Sequence, residues 1–386
     1  MQTLLLTRLR PYPRSPLSYL VSRRLHGNLS WCPRESHSFH TVQKRHQRRP
    51  NLSFVFDIDG VLLRGPDVLP AAKRALAILE GDNPYGIKIP YLLLTNGGGV
   101  SEAVRCEKLT KKLGFPISTK QCIQAHTVLK ELSHKYADKP VLVLGGKLDA
   151  ARRVAEDYGF QRAYTTLDVL AWKSSVWPFR QLSPTERDST KAIDFSRTRI
   201  SAVFVFHDPR DWGLDVQIVC DILLSGGFIG GPRVHSSGHV GEDVQLVFCN
   251  PDLLWRSDFE QPRLGQGAFK ESLLSVYKTL TGSIYPYTQF GKPTKATYDF
   301  AGQVMNDWLD ELYGPGGPRP QIYMIGDNPA SDIAGANAAG WNSILVKTGV
   351  YDGKQGEGTH GATFEAEDVE EGVLWALERE MGRNTS

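Results

Sequence analysis

Phe54-Val55-Phe56-Asp57-Ile58-Asp59-Gly60-Val61-Leu62 is an apolar run that meets two aspartates spaced i, i+2 and then a glycine. Residues two apart on a strand share a face, so both carboxylates point into one small volume, roughly 6–7 Å apart along the backbone. Such a pair at a strand end suits a divalent cation plus a nucleophile, or an acid–base pair. The same residue types also make a plain turn, because Asp and Gly are common turn residues. An EF-hand loop does not fit. Counted from Asp57, that loop needs an oxygen ligand at its fifth position, Gly at its sixth and Glu at its twelfth. Val61, Leu62 and Val68 stand there instead.

Outward from this segment, short apolar runs alternate with helical patterns, which predicts an α/β fold with a largely parallel sheet. Strands are expected at 53–56, 89–94, 141–144, 200–206, 244–248, 321–325 and 343–346. Helices are expected at 101–113, with Ser101 as N-cap and Gly114 as stop, and at 118–136 and 214–224. Three strand ends carry polar, glycine-flanked turns: Asp57-Ile58-Asp59-Gly60, Thr95-Asn96-Gly97 and Gly326-Asp327-Asn328. Ligands bind at the carboxyl ends of strands in open α/β sheets. The stretch 118–265 has its own βα pattern and is read as a domain inserted between core parts at 51–117 and 266–386. Within it, 166–198 is poor in periodicity and is read as a long functional loop or a surface insertion. The tail at 363–380, with Val373, Leu374 and Leu377 at helical spacing, is read as a packing helix.

With 386 residues the chain is long enough for a sizeable core and two folded units. No apolar stretch approaches the roughly 18–20 residues needed to span a bilayer. Five scattered cysteines with no Cys-x-x-Cys pair indicate neither a zinc site nor a disulfide framework. The net charge of +3 conceals an asymmetry. Residues 1–50 hold ten Lys/Arg and one acid, a net of +9, which leaves −6 for the remainder. An Arg-, Ser- and Leu-rich leader almost free of acids has the composition of a mitochondrial transit peptide. Arg8 and Arg10 cut its apolar run too short for a secretory signal. A nucleic-acid arm around His46-Gln47-Arg48-Arg49 is the other reading of the same charge.

The chemistry-bearing segments continue beyond the first. Thr95 ends an apolar strand, and Gly97-Gly98-Gly99 lets the backbone approach an anion before a helix starts near Ser101. Gly291-Lys292-Pro293 opens another helix, where an ammonium adds a point charge for a phosphate. Asp327 follows a strand beside Gly326, and Asp332 falls in a first helical turn. Each segment has a bland reading as a capped helix, a solvated lysine or a turn.

In this order, Asp57-Ile58-Asp59-Gly60-Val61, Thr95, Lys292 and Gly326-Asp327…Asp332 together resemble the four motifs of the haloacid dehalogenase (HAD) superfamily. The large inserted segment resembles the α/β cap of its subclass IIA. Thr95-Asn96-Gly97-Gly98-Gly99, 263–269, Gly326-Asp327-Asn328-Pro329 and 347–351 resemble the mitochondrial family around cat eye syndrome critical region protein 5. The resemblance covers nearly all of 51–386. It departs from many subclass IIA members at Gly97-Gly98 and Ala330, which bears on the substrate more than on the chemistry. It implies a Rossmann-like core with a parallel sheet, a cap, and a Mg²⁺-dependent phosphatase in mitochondria. Asp57 is implied as nucleophile and Asp59 as acid and base. Thr95, Asn96 and Lys292 would bind phosphate. Asp57, the Asp59 carbonyl, Asp327 and Asp332 would hold Mg²⁺. The same motifs would also serve a phosphomutase-like transferase, and a binding or scaffold protein could retain them. In the inserted segment, His207 and Arg210 are candidates for reading the substrate, while His126 is read as structural. The expected partner is a small phosphorylated metabolite, with no nucleic acid and no stable membrane insertion; a homo-oligomer is admitted.

Overall fold

The computed structural model describes residues 49–233, 243–255, 259–351, 353 and 360–382. The basic leader lies outside the described residues. In chain order the main elements are β1 (Leu52–Phe56), α1 (Pro70–Leu79), β2 (Tyr91–Leu94), α2 (Glu102–Leu113) and β3 (Cys122–Ile123). Next come β4 (Val141–Leu144), α3 (Ala150–Asp157), β5 (Ala163–Tyr164), α4 (Thr166–Trp172), β6 (Ala202–Val205), α5 (Trp212–Leu224) and β7 (Gln245–Phe248). The chain continues with α6 (Gln266–Thr281), β8 (Thr288–Gln289), α7 (Lys295–Tyr313), β9 (Gln321–Gly326), β10 (Asn342–Val346), β11 (Phe364–Ala366) and α8 (Val369–Met381).

Two parallel sheets result. The first has the order β11-β10-β9-β1-β2-β3 and the second β8-β7-β6-β4-β5. Alternation along each strand feeds two cores. On the first sheet, Phe54, Phe56, Leu93 and Ile325 pack with α1 and α8, while Val55, Leu92, Leu94 and Met324 face Tyr298, Met305 and Leu309 of α7. The second sheet is likewise covered on both sides. Burial on both faces is what makes these strands continuous apolar runs. β1 lies between β9 and β2, with Phe56 paired to Ile325 on one side and Leu93 on the other. The order of successive strands reverses across this point, β2 and β3 lying on one side of β1 and β9, β10 and β11 on the other, so the crevice at the carboxyl ends of β1 and β9 is the expected binding position.

Sheet membership moves the boundaries of the inserted segment. β3 belongs to the first sheet, where Cys122 and Ile123 pair with Leu93 and Leu94. At the other end, α6 buries Phe269, Leu273 and Leu274 in the second sheet's core, and β8 pairs with β7. The expected limits of 118 and 265 therefore assign β3 to the inserted segment and α6 and β8 to the core, whereas long-range pairing and packing join β3 to the first sheet and α6 and β8 to the second. The predicted helix over 118–136 is broken. Ser118 and Gln121 form a capping box on a single 3₁₀ turn, after which β3 pairs with β2 and only short helical pieces follow. Helix α2 starts and stops where predicted, with Ser101 accepting from the Val104 N–H and Gly114 in the left-handed region.

The segment 166–198 is more ordered than its sequence suggests. It holds α4 and a short helix Pro184–Asp188, and Phe195 is fully buried in the second sheet's core. Arg152 of α3 anchors it. Its guanidinium donates to Asp168 at 2.8 Å and to the carbonyl of Ser189 at 2.5 Å, inside the protein. In the tail, Val373 and Leu377 are buried as expected, whereas Leu374 is exposed because it sits on the outer face of α8.

Candidate active site

Four segments converge at the carboxyl ends of the first sheet. The Asp57 N–H still donates to the Ile325 carbonyl, so the ladder fixes Asp57 directly beyond β1. Ile58 turns into the core, leaving Asp57 and Asp59 on the open side. Thr95 ends β2, its own N–H tied to Ile123 and its hydroxyl oxygen accepting from the Gly97 N–H at 2.9 Å. Lys292 arrives from β8 and is 2% exposed. Its ammonium lies 2.6 Å from Asp57 Oδ1 and 2.7 Å from Asp332 Oδ1. Asp327 follows β9, and its Oδ2 accepts from the Val350 N–H at 2.6 Å.

Asp57, Asp327 and Asp332 place carboxylate oxygens within 4.8 Å of one another, the one such cluster among the described residues. Burial raises the Asp327 pKa well above the carboxylate range, and the charges of Asp57 and Asp332 raise it further. Asp332 is pushed up to about 6 by burial, against the pull of Lys292. Burial alone would lower the Lys292 pKa, but Asp332 and Asp57 overcome it and hold the ammonium protonated. Ionised together, the three buried carboxylates would outnumber the one ammonium, which is why burial and mutual repulsion raise the pKa values of Asp327 and Asp332. A hard divalent cation with oxygen ligands fits this donor set and would relieve the repulsion. Two glycines allow the close approach: a Cβ on Gly60 or Gly349 would overlap the Asp327 carboxylate. Asp59 projects into the mouth of the site with its side chain 63% exposed. Partial enclosure raises its pKa, while Arg105, 3.6 Å away, pulls it down.

The remaining sequence candidates sort differently. Asn96 was expected among the phosphate binders, but its side chain is engaged within the protein. Its Oδ1 accepts from the Lys292 N–H at 2.8 Å, and its Nδ2 donates to the Lys292 carbonyl and to Asp252. His207, after β6, packs its ring against Gly99, where a Cβ would have no room. Arg210 reaches His207 Nε2 at 3.3 Å and turns along a cavity of about 300 Å³ that also involves Lys147, Thr166 and Arg180. That cavity lies at the carboxyl ends of the second sheet, so Arg210 lines a different wall from the Asp57 cluster. His126 is fully buried and structural. Burial lowers its pKa to about 4, the Gly99 N–H donates to Nε2, and Nδ1 donates to Tyr158 Oη at 2.8 Å. Tyr158 in turn donates to Glu102.

The sequence pattern gave no role to Arg105 or Asp252, and marked 347–351 only as part of the family resemblance. Arg105 had a helical-spacing signal only, being one turn into α2. The loop 347–351 closes on the site through Val350 and through Thr348, whose hydroxyl donates to the Gly60 carbonyl at 2.5 Å. Asp252 follows an Asn-Pro pair that reads as a turn, and no local pattern connects it to Asn96.

Known proteins resemble this chain in sequence and fold. A haloacid dehalogenase-like hydrolase model matches residues 54–161, and a second HAD hydrolase-like model matches 289–372. A mitochondrial hydrolase of Saccharomyces cerevisiae is 38% identical over 361 residues, covering 88% of this chain and 98% of that protein. A cardiolipin synthase (CMP-forming)/mitochondrial hydrolase fusion protein of Schizosaccharomyces pombe is 42% identical over 334 residues, 86% of this chain. The match spans 54% of the fusion protein's length. The crystal structure of a 4-nitrophenylphosphatase from Thermotoga maritima superposes with a TM-score of 0.55 at 18% identity, covering 84% of this chain and 97% of that one. The chain belongs to the haloacid dehalogenase-like hydrolases, with the fold of subclass IIA.

Proposed function

We propose that this hydrolase is a Mg²⁺-dependent phosphatase that cleaves a small phosphate ester through an aspartyl-phosphate. The observation that carries this reading is Lys292, held by Asp57 and Asp332 beside Asp327. A carboxylate nucleophile, a fixed ammonium and a set of hard oxygen donors are the parts that phosphoryl transfer needs. Asp57, Asp327, Asp332 and the Asp59 carbonyl would hold Mg²⁺, which when bound neutralises charge on the transferring phosphoryl group.

In the first step an Asp57 carboxylate oxygen forms a bond to phosphorus as the ester P–O bond breaks, and Asp59 gives its proton to the leaving oxygen. In the second step Asp59 takes a proton from water, whose oxygen attacks phosphorus. The P–O bond to Asp57 then breaks and inorganic phosphate leaves. Lys292 and the Thr95 hydroxyl hold the phosphoryl oxygens.

The second sheet acts as a cap that restricts access, which favours a small metabolite over a folded protein. The fission-yeast fusion to a cardiolipin synthase favours, as a narrower reading, a phosphorylated intermediate of glycerophospholipid chemistry. The basic leader and the names of both relatives support a mitochondrial location. A panel of phosphorylated metabolites, glycerophosphates included, tests the reading with and without Mg²⁺. Turnover that requires Mg²⁺ and is abolished in Asp57→Asn is expected. Full activity in that variant would sink the nucleophile assignment.

A further inference from the structure

Asp252 lies four residues beyond β7, yet it reaches the phosphate end of the first sheet. Both of its carboxylate oxygens accept from Asn96 Nδ2 at 3.1 Å. The opposite end of that amide accepts from the Lys292 N–H at 2.8 Å, and Nδ2 also donates to the Lys292 carbonyl at 3.1 Å. Asn96 thus pairs with the backbone of Lys292 as a neighbouring strand would, and only one orientation of its amide satisfies every partner. Asp252 is itself fixed from behind. Its N–H donates to Asn250 Oδ1 at 2.7 Å, and its carbonyl accepts from the Gly267 N–H at 2.9 Å.

The chain path gives this arrangement its consequence. β8 ends at Gln289 in the second sheet, and the Phe290 N–H still donates to the Phe248 carbonyl. Lys292 comes two residues later and has left that sheet for the Asp57 cluster. Packing on Gly291 is close: a Cβ there would sit 2.7 Å from Pro251 and 3.1 Å from Asn96 Oδ1. Lys292 is therefore held through its side chain by the Asp57 cluster and through its backbone by Asn96 of the first sheet, whose amide Asp252 fixes from the second sheet.

We propose that Asp252 is a positioning residue: by orienting the Asn96 amide it sets the Lys292 backbone, and so places the Lys292 ammonium only when the second sheet is seated on the first. The effect rests on the phosphatase reading above for its catalytic consequence but not for its geometry. Asp252 does not touch the reacting atoms. A shift of about 1 Å in a group that holds a phosphoryl oxygen is enough to cost on the order of 100-fold in rate.

The test compares the full-length protein with Asp252→Ala and Asp252→Asn on two readouts. The first is hydrolysis of 4-nitrophenyl phosphate with Mg²⁺, separated into kcat and KM. Asp252→Ala is expected to lower kcat on the order of 10- to 100-fold. Asp252→Asn retains an oxygen acceptor for Asn96 and is expected to stay within about threefold of the native rate. The second readout needs no turnover: modification of Lys292 by a water-soluble amine reagent, followed by mass spectrometry. The Lys292 amine, buried in the native protein, is expected to label at least about tenfold faster in Asp252→Ala as its backbone loosens. Faster labelling without any wild-type turnover would uphold the positioning role and overturn the phosphatase reading instead. Native-rate labelling in Asp252→Ala overturns the positioning role, whatever happens to kcat. So does a loss in Asp252→Asn equal to that in Asp252→Ala, because the charge and not the acceptor would then matter.

Discussion

At the scale of single residues, Lys292 carries the most electrostatic weight. It is one buried cation beside Asp57 and Asp332, and removing it leaves both carboxylates uncompensated. Lys292→Met is expected to abolish turnover and to destabilise the metal-free protein by about 3–5 kcal/mol, the usual cost of breaking a buried pair from one side. Urea unfolding at neutral pH measures this, and added Mg²⁺ should recover part of it. Gly349 offers a second test of the carboxylate cluster. A Cβ at Gly349 would displace the Asp327 carboxylate, so Gly349→Ala is expected to weaken Mg²⁺ binding at least about tenfold by calorimetry. Asp57, Asp59, Thr95, Lys292, Asp327 and Asp332 were all legible because each stands at a strand end or helix start with a recognisable neighbour. Asn96 was legible as part of that set but not in its partners. A side-chain amide can face a ligand or the protein, and the local sequence is the same in both cases.

At the scale of elements, the ordering of 166–198 depends on α3 more than on its own propensities. Arg152 is buried with Asp168 and also donates to the Ser189 carbonyl, so it joins two points of the segment to one helix. Arg152→Leu is expected to cost about 3 kcal/mol and to open the segment to limited proteolysis before the rest of the chain. The segment looked like a loop because its helices are short and its anchors are polar and remote. The predicted helix at 118–136 failed for a related reason. Its first turn carries a good capping box, but Cys122 and Ile123 gain a sheet edge that helical continuation would leave bare. Where the cap and stop are both local, as at Ser101 and Gly114 of α2, prediction and structure agree.

At the scale of the whole molecule, burial of titratable groups between layers makes stability depend on pH. Asp215 of α5 is buried beside Thr166, whose hydroxyl donates to it at 2.6 Å. Burial raises its pKa to about 7, against the usual carboxylate value of 3.8. The folded state therefore binds this proton more tightly than the unfolded chain does. Its contribution is complete below about pH 4 and is lost as pH rises through about 7. The slope from one such proton is about 1.4 kcal/mol per pH unit. Asp215→Asn, which imitates the protonated form, is expected to flatten the stability profile between pH 5 and 7. An unchanged slope in that variant would show that Asp215 is not the group responsible.

What the sequence determined by itself was local and periodic: the apolar strands, the caps of α2, and the order of the motif residues at strand ends. Those features depend on neighbours within a few positions, where side-chain period and capping chemistry operate. Only the tertiary structure decided which sheet β3 and β8 join, that Asn96 faces Lys292, and that Asp252 stands behind it. Asn96 and Asp252 are 156 residues apart, and Asp57 and Lys292 are 235 apart. Contacts at that separation arise from how two sheets seat on each other, which no pattern along the chain encodes locally.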